Sequence, residues 1–142
     1  MVVRLDPWRP SASSQAPSRL GHGGRTPRSH PGHEAENSLR TKGVSYVAGR
    51  AYYDGNARGK IIGDKSGLLK LLFRENDRKL LGVSVVGESA SELVHVGLVA
   101  LMVEADHNLF IETCFNYPTL GQLCKYATYD AMGRRGSARA GD

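Results

Sequence analysis

The sequence predicts an α+β domain: an antiparallel sheet of three to five strands packed with two main helices, behind a disordered N-terminal tail. Three observations carry this expectation. Residues 68–86 put Leu69, Leu71 and Phe73 on one face and Leu81, Val83 and Val85 on one face, around a polar turn at residues 75–78. That is the period-two pattern of a hairpin, and short turns exclude a parallel sheet, which needs crossovers. Beyond residue 88 the period changes to that of helices. The first 35 residues hold five of the six prolines and few large apolar side chains.

That first stretch cannot offset its ordering entropy, so residues 1–35 read as a disordered tail. It lacks the apolar core of a secretory signal. Its Arg- and Ser-rich composition is weakly similar to an organelle transit peptide, but Pro10, Pro17, Pro27 and Pro31 break any amphipathic helix. Residues 45–54 read as the first strand, with Gly49 suggesting a bulge. Gly55-Asn56 marks a turn, and Lys60-Ile61-Ile62 a short strand ended by Gly63-Asp64. Residues 68–73 and 80–86 are the next two strands. Ser89-Ala90-Ser91-Glu92 fits a capping box opening a helix over residues 93–103. That helix is apolar except for His95 and two small residues, Gly97 and Ala100, so it needs burial on most sides. A domain this small hardly supplies that without a partner surface. Asp106-His107-Asn108 ends it, and residues 109–114 form a short helical turn. Pro118 stands where a helix-opening proline belongs. Leu120, Leu123, Cys124, Ala127 and Ala131 share one helical face, and Gly133 is the expected C-cap. A flexible tail follows at residues 134–142, leaving one domain over residues 36–133.

Nineteen Lys and Arg against 14 Asp and Glu give a net charge of +5. The excess sits in the two ends, because residues 36–133 carry 11 basic and 11 acidic residues. A nucleic-acid reader needs a basic patch on its ordered surface, so no nucleic-acid partner is expected. No apolar run reaches the ~18 residues of a membrane helix, so no membrane partner is expected. Two cysteines ten residues apart make neither a disulfide scaffold nor a C-x-x-C motif, and a reducing cytoplasm fits them best.

No motif completes an active site. Gly55-x-x-x-Gly59-Lys60-Ile61 has one residue too few between its glycines and no Ser or Thr after the lysine, so it is not a phosphate loop. No G-x-G-x-x-G occurs. Glu92-x-x-His95 and Glu104-x-x-His107 repeat a di-iron spacing, but 12 helical residues separate them by ~18 Å. Glu92 is better explained as a cap partner, and His95 as a hydrogen-bonded interior or interface residue. His22, His30 and His33 lack companion ligands at zinc-like spacing, so no metal site is expected. Cys114 and Cys124 read as buried structural thiols. The residues alone indicate a non-catalytic homodimerisation or interaction module.

One resemblance adds to that reading. Residues 36–44 (E-N-S-L-R-T-K-G-V), 56–64 (N-A-R-G-K-I-I-G-D), 87–95 (G-E-S-A-S-E-L-V-H) and Phe115-Asn116-Tyr117-Pro118-Thr119-Leu120 resemble the C-terminal dimerisation domain of the FAD-containing pyridine nucleotide-disulfide oxidoreductases, in their soluble transhydrogenase branch. The likeness spans about residues 36–133. It implies an intact parent that carries FAD and NAD(P) and passes hydride from NADPH to NAD+. It implies a homodimer, or a dimer with a full-length family flavoprotein. It places Tyr117 where most of the family has an acid–base His, and Pro118 and Thr119 at the edge of the partner subunit's flavin site. Gln122 stands where the family has Glu and cannot act as a carboxylate, so the His–Glu dyad is absent. The chain is expected to be this domain separated from its catalytic domains, with no cofactor bound and no turnover on its own.

Overall fold

A computed structural model describes the backbone of residues 2–3 and 31–139 and the side chains of residues 36–134. Most of the expected tail, residues 4–30, therefore lies outside the described residues, as do residues 140–142. The described chain forms a four-stranded antiparallel sheet of order β1-β4-β3-β2. The strands are β1 (Val2–Val3), β2 (Tyr46–Tyr52), β3 (Leu68–Arg74) and β4 (Leu80–Val86). Five helices accompany them: α1 (Pro31–Thr41), α2 (Ala57–Ile62), α3 (Ala90–Met102), α4 (His107–Glu112) and α5 (Gln122–Arg139).

Alternation decides the two faces of the sheet. Ala51, Leu69, Leu71, Phe73, Val83 and Val85 point to one face and are buried there. Helix α5 covers β2 and β3, and α3 covers β4. Leu123, Cys124, Ala127 and Ala131 of α5 are all buried, as their shared spacing predicts. Phe73 meets Phe110 of α4 edge to face, with ring centroids 6.3 Å apart. On the other face, Lys70 holds Glu36 of α1 at 2.9 Å and Arg40 Nε donates to the Tyr46 hydroxyl.

Two glycines set how closely the helices lie on the sheet. A Cβ on Gly49 would stand 1.9 Å from the Ala127 carbonyl oxygen, and one on Gly97 would stand 2.6 Å from Val83 Cγ2. Gly49 is thus no bulge. Its pairing with Leu71 is regular, and the glycine is there because a helix backbone presses on it. The irregularity lies in β4 instead: Leu72 pairs with Gly82 and Phe73 with Leu80, leaving Leu81 extra. The slip turns Leu80 into the core, where the simple alternation predicts Leu81.

Other expectations are corrected by local chemistry. Residues 60–62 are helical, because Asn56 caps α2 by accepting from the Arg58 and Gly59 amides. Gly63, at φ 77°, closes it. The capping box at Ser89 does not form. Ser89 sits at φ 55°, outside the extended region a side-chain cap needs, and only its carbonyl accepts, from the Glu92 and Leu93 amides. Asp106 opens α4 rather than ending α3. Pro118 does not open α5, which starts four residues later, and the Tyr117–Pro118 peptide bond is cis. Gly133 does not cap α5, since two good helix formers, Arg134 and Arg135, follow it and the helix runs on to Arg139.

The loop joining β4 to α3 is tied back by one carboxylate. Asp64 Oδ2 accepts from the Glu88 amide at 2.9 Å, and Oδ1 accepts from the Gly67 amide at 2.8 Å and the Ser66 amide at 2.9 Å. Nearby, the fully buried Tyr53 donates its hydroxyl to the Glu88 carbonyl at 3.0 Å. The Glu88 amide, above all, holds the Asp64 carboxyl below its ordinary value. A lowered carboxylate value stabilises the fold above the unfolded value, about pH 3.9, and loses that contribution as pH falls through the folded one. Asp64→Asn is expected to lower stability at pH 7, since an amide presents N–H to the Glu88 N–H. The gap from the parent should narrow below about pH 4 in urea titrations. A gap independent of pH would refute the tie.

Candidate functional site

Two surfaces stand out, and the first is α3. Its residues Leu93, Val94, Gly97 and Ala100 are buried against the sheet. Its opposite side leaves Val96, Val99, Met102 and Val103 exposed, with Val99 at 59% and Met102 at 68%. The spacing of three and four residues makes these one stripe. Leu109 of α4 is exposed as well. An apolar stripe of this kind marks an interaction surface rather than a scatter of single residues. His95 and Glu92 are exposed on α3, so of the two alternatives for His95, interior or interface, the interior one is excluded. Neither joins a metal site: the described residues contain no group of three or more His, Cys, Asp or Glu placed to hold an ion. Glu104 pairs with Lys79 at 2.7 Å, whereas the buried His107 meets Arg78 through Nε2 at 3.2 Å.

The second surface is the turn before α5. Tyr117 projects from it at 72% exposure, beside the exposed Pro118. Thr119 is half-buried; its hydroxyl donates to the Asn116 carbonyl at 2.7 Å, and its own carbonyl accepts from Asn56 Nδ2 at 3.2 Å. Gln122 is half-buried at the start of α5, and its Oε1 is a buried acceptor without a hydrogen-bond partner among the described residues. Phe115 anchors the turn by packing on the core. Tyr117, Pro118, Thr119 and Gln122 lie together in the turn that leads into α5. Among the described residues no acid or imidazole is hydrogen-bonded to Tyr117. Asn56 was missed in the sequence as part of this region. The signal was there: Asn followed by a helix-compatible run and Gly63 is a helix start and stop.

The cysteines separate. Cys114 is exposed, contrary to expectation, because it follows the short α4 rather than facing the core. Cys124 is buried on the core-facing side of α5, and burial pushes its thiol up to about 12. Ellman's reagent on the native chain is expected to titrate one thiol within minutes and the second only after denaturation. Two fast thiols would show that α5 is not docked as described.

A helix-backed antiparallel sheet with an exposed apolar helix stripe has the make-up of an association domain. The sequence comparisons give the family. The profile described as the pyridine nucleotide-disulphide oxidoreductase dimerisation domain matches residues 34–128, and the chain belongs to that family. It is 38% identical over 102 residues to the soluble pyridine nucleotide transhydrogenase of Pseudomonas putida, covering 70% of this chain and 22% of that protein. It is 38% identical over 104 residues to the same-named protein of Azotobacter vinelandii, covering 71% and 22%. Among solved structures it is similar to LpdA from Mycobacterium tuberculosis, with TM-score 0.62 and 24% identity over 66% of this chain and 21% of that one. It also resembles the flavoprotein disulfide reductase RclA from Escherichia coli, with TM-score 0.62 and 15% identity over 66% and 21%. These structural likenesses confirm the fold. The chain spans 22% of the length of the transhydrogenases it matches.

Proposed function

We propose that this chain serves as the subunit-pairing domain of an FAD-dependent NAD(P) oxidoreductase of the soluble transhydrogenase type. Its α3 stripe packs against a second copy, or against a full-length family flavoprotein, and its turn at residues 115–119 lies at the edge of the neighbour's flavin site. In such a parent, FAD would relay hydride from NADPH to NAD+. The described residues do not themselves fit a dinucleotide: the sheet is wholly antiparallel, and no glycine-rich strand-to-helix turn is present to cradle a pyrophosphate. No flavin binding or turnover is therefore assigned to these residues. Tyr117 and Gln122 supply contact and hydrogen-bonding at the rim, and Gln122 takes no part in proton transfer. Two free thiols suit a reducing cytoplasm. Among the described residues, no helix is long and apolar enough to cross a membrane.

The observation that carries this reading is the exposed α3 stripe of Val96, Val99, Met102 and Val103. Sedimentation equilibrium of the chain is the test. A concentration-dependent shift toward twice the monomer mass is expected, and a monomer at every concentration up to about 0.5 mM, beyond the weak-complex range, would overturn it.

A further inference from the structure

Asn56 is fully buried, and its side chain faces two ways. Its Oδ1 accepts from the Arg58 amide at 2.9 Å and the Gly59 amide at 3.2 Å. Its Nδ2 donates to the Thr119 carbonyl at 3.2 Å, 63 residues along the chain. Backbone amides only donate, so the two amides fix which side-chain atom is oxygen, and the nitrogen must face Thr119. We infer that Asn56 is a positioning residue for the rim turn, holding the carbonyl that follows Tyr117 and Pro118 in place from the end of α2.

The anchor is rigid on its own side. The Asn56 amide donates to the Tyr53 carbonyl at 3.0 Å, and the buried Tyr53 hydroxyl reaches Glu88 just before α3. Gly59 lies so close to the Tyr53 backbone that an added Cβ would fall 2.0 Å from its carbonyl oxygen. Asn56 is thus fixed by β2 and α2, whereas Tyr117 and Pro118 are exposed and have little packing of their own. An exposed turn that must meet a neighbouring subunit in one shape needs such a tether, because ordering it on contact would cost affinity. This role rests on reading the turn as a subunit-facing rim.

The cap and the tether can be separated. Asn56→Ser keeps a capping oxygen for α2 but is too short to reach Thr119. In the full chain, this variant is expected to raise amide exchange at Leu123 and Cys124, whose amides donate to the Leu120 and Gly121 carbonyls of the turn, at least ~10-fold, the effect of losing one hydrogen bond of about 1.4 kcal/mol, while strand amides of β3 keep their protection. Asn56→Asp, which keeps the size and the capping oxygen but turns an acceptor toward the Thr119 carbonyl, should lose the protection as the serine variant does. In the unaltered chain, the Asn56 side-chain amide protons should exchange slowly and show nuclear Overhauser contacts to Leu120. Unchanged exchange in the serine variant, or fast side-chain amide exchange in the parent, would overturn the inference. Sedimentation of the same samples keeps the two readings apart: a monomer with a protected turn sinks the pairing proposal and leaves Asn56 only as the tether of the turn.

Discussion

Gly49→Ala is expected to destabilise the domain by about 3 kcal/mol, the upper end of overpacking changes. A single methyl group does this because of where it must go. The new Cβ would stand 1.9 Å from the Ala127 carbonyl oxygen and 2.8 Å from Ala131 Cβ. A flexible side chain could swing away, but the first of these neighbours is helix backbone. The strand has no freedom either, since Gly49 is in register with Leu71 in the middle of β2 and β3. Helix α5 must therefore lift off, and Leu123, Cys124, Ala127 and Thr128, all fully buried, lose their fit together. Against a total stability of about 5–15 kcal/mol for a domain, such a loss is large. Gly133→Ala is the control. Nothing lies within 4 Å of its added Cβ, it is exposed inside α5, and it should stabilise by about 0.5–1 kcal/mol. Urea midpoints of both variants check the pair. Equal effects would mean that the contact between α5 and β2 is looser than described.

The second large effect concerns association. Val99→Lys combined with Met102→Lys is expected to weaken self-association at least ~100-fold without changing the thermal midpoint much. Both side chains are exposed on α3, so the monomer does not rely on them. Burying a Val or Met side chain contributes about 1.5–3 kcal/mol, and lysine at an apolar contact forfeits that and adds the cost of removing a charge from water. In a two-fold interface each substitution acts twice. Dimer affinity from sedimentation, with circular dichroism as the fold control, decides the matter. An unchanged affinity would place the contact surface elsewhere.

Much of this was legible in the sequence, and the reasons are specific. The pairing of β3 with β4 and the buried face of α5 were readable because alternation and 3.6-residue spacing report burial directly. The apolar circumference of α3 announced a surface that one small sheet cannot cover. What escaped reading depended on contacts distant in sequence. Gly49 looks like a bulge until Ala127 is brought over it. Asn56 looks like a turn residue until Thr119 arrives beside it. The order of Leu80 and Leu81 is decided by a register slip that alternation alone cannot show. Gly133 and Pro118 carry real local preferences, but each was outweighed by its neighbours: Arg134 and Arg135, both good helix formers, directly after one, an irregular turn around the other. Tyr117, Pro118, Thr119 and Gln122 came from the family resemblance alone, because nothing in their local spacing or patterning singles them out.

Strand β2 lies at the outer margin of the sheet, where unpaired amides invite a foreign strand. One of those donors is already engaged: the Arg50 amide donates to Asp130 Oδ2 at 2.8 Å, and Arg134 grips the same oxygen at 2.9 Å. An incoming chain would have to evict a paired carboxylate before it could template on this margin. Strand addition is thereby discouraged on that side.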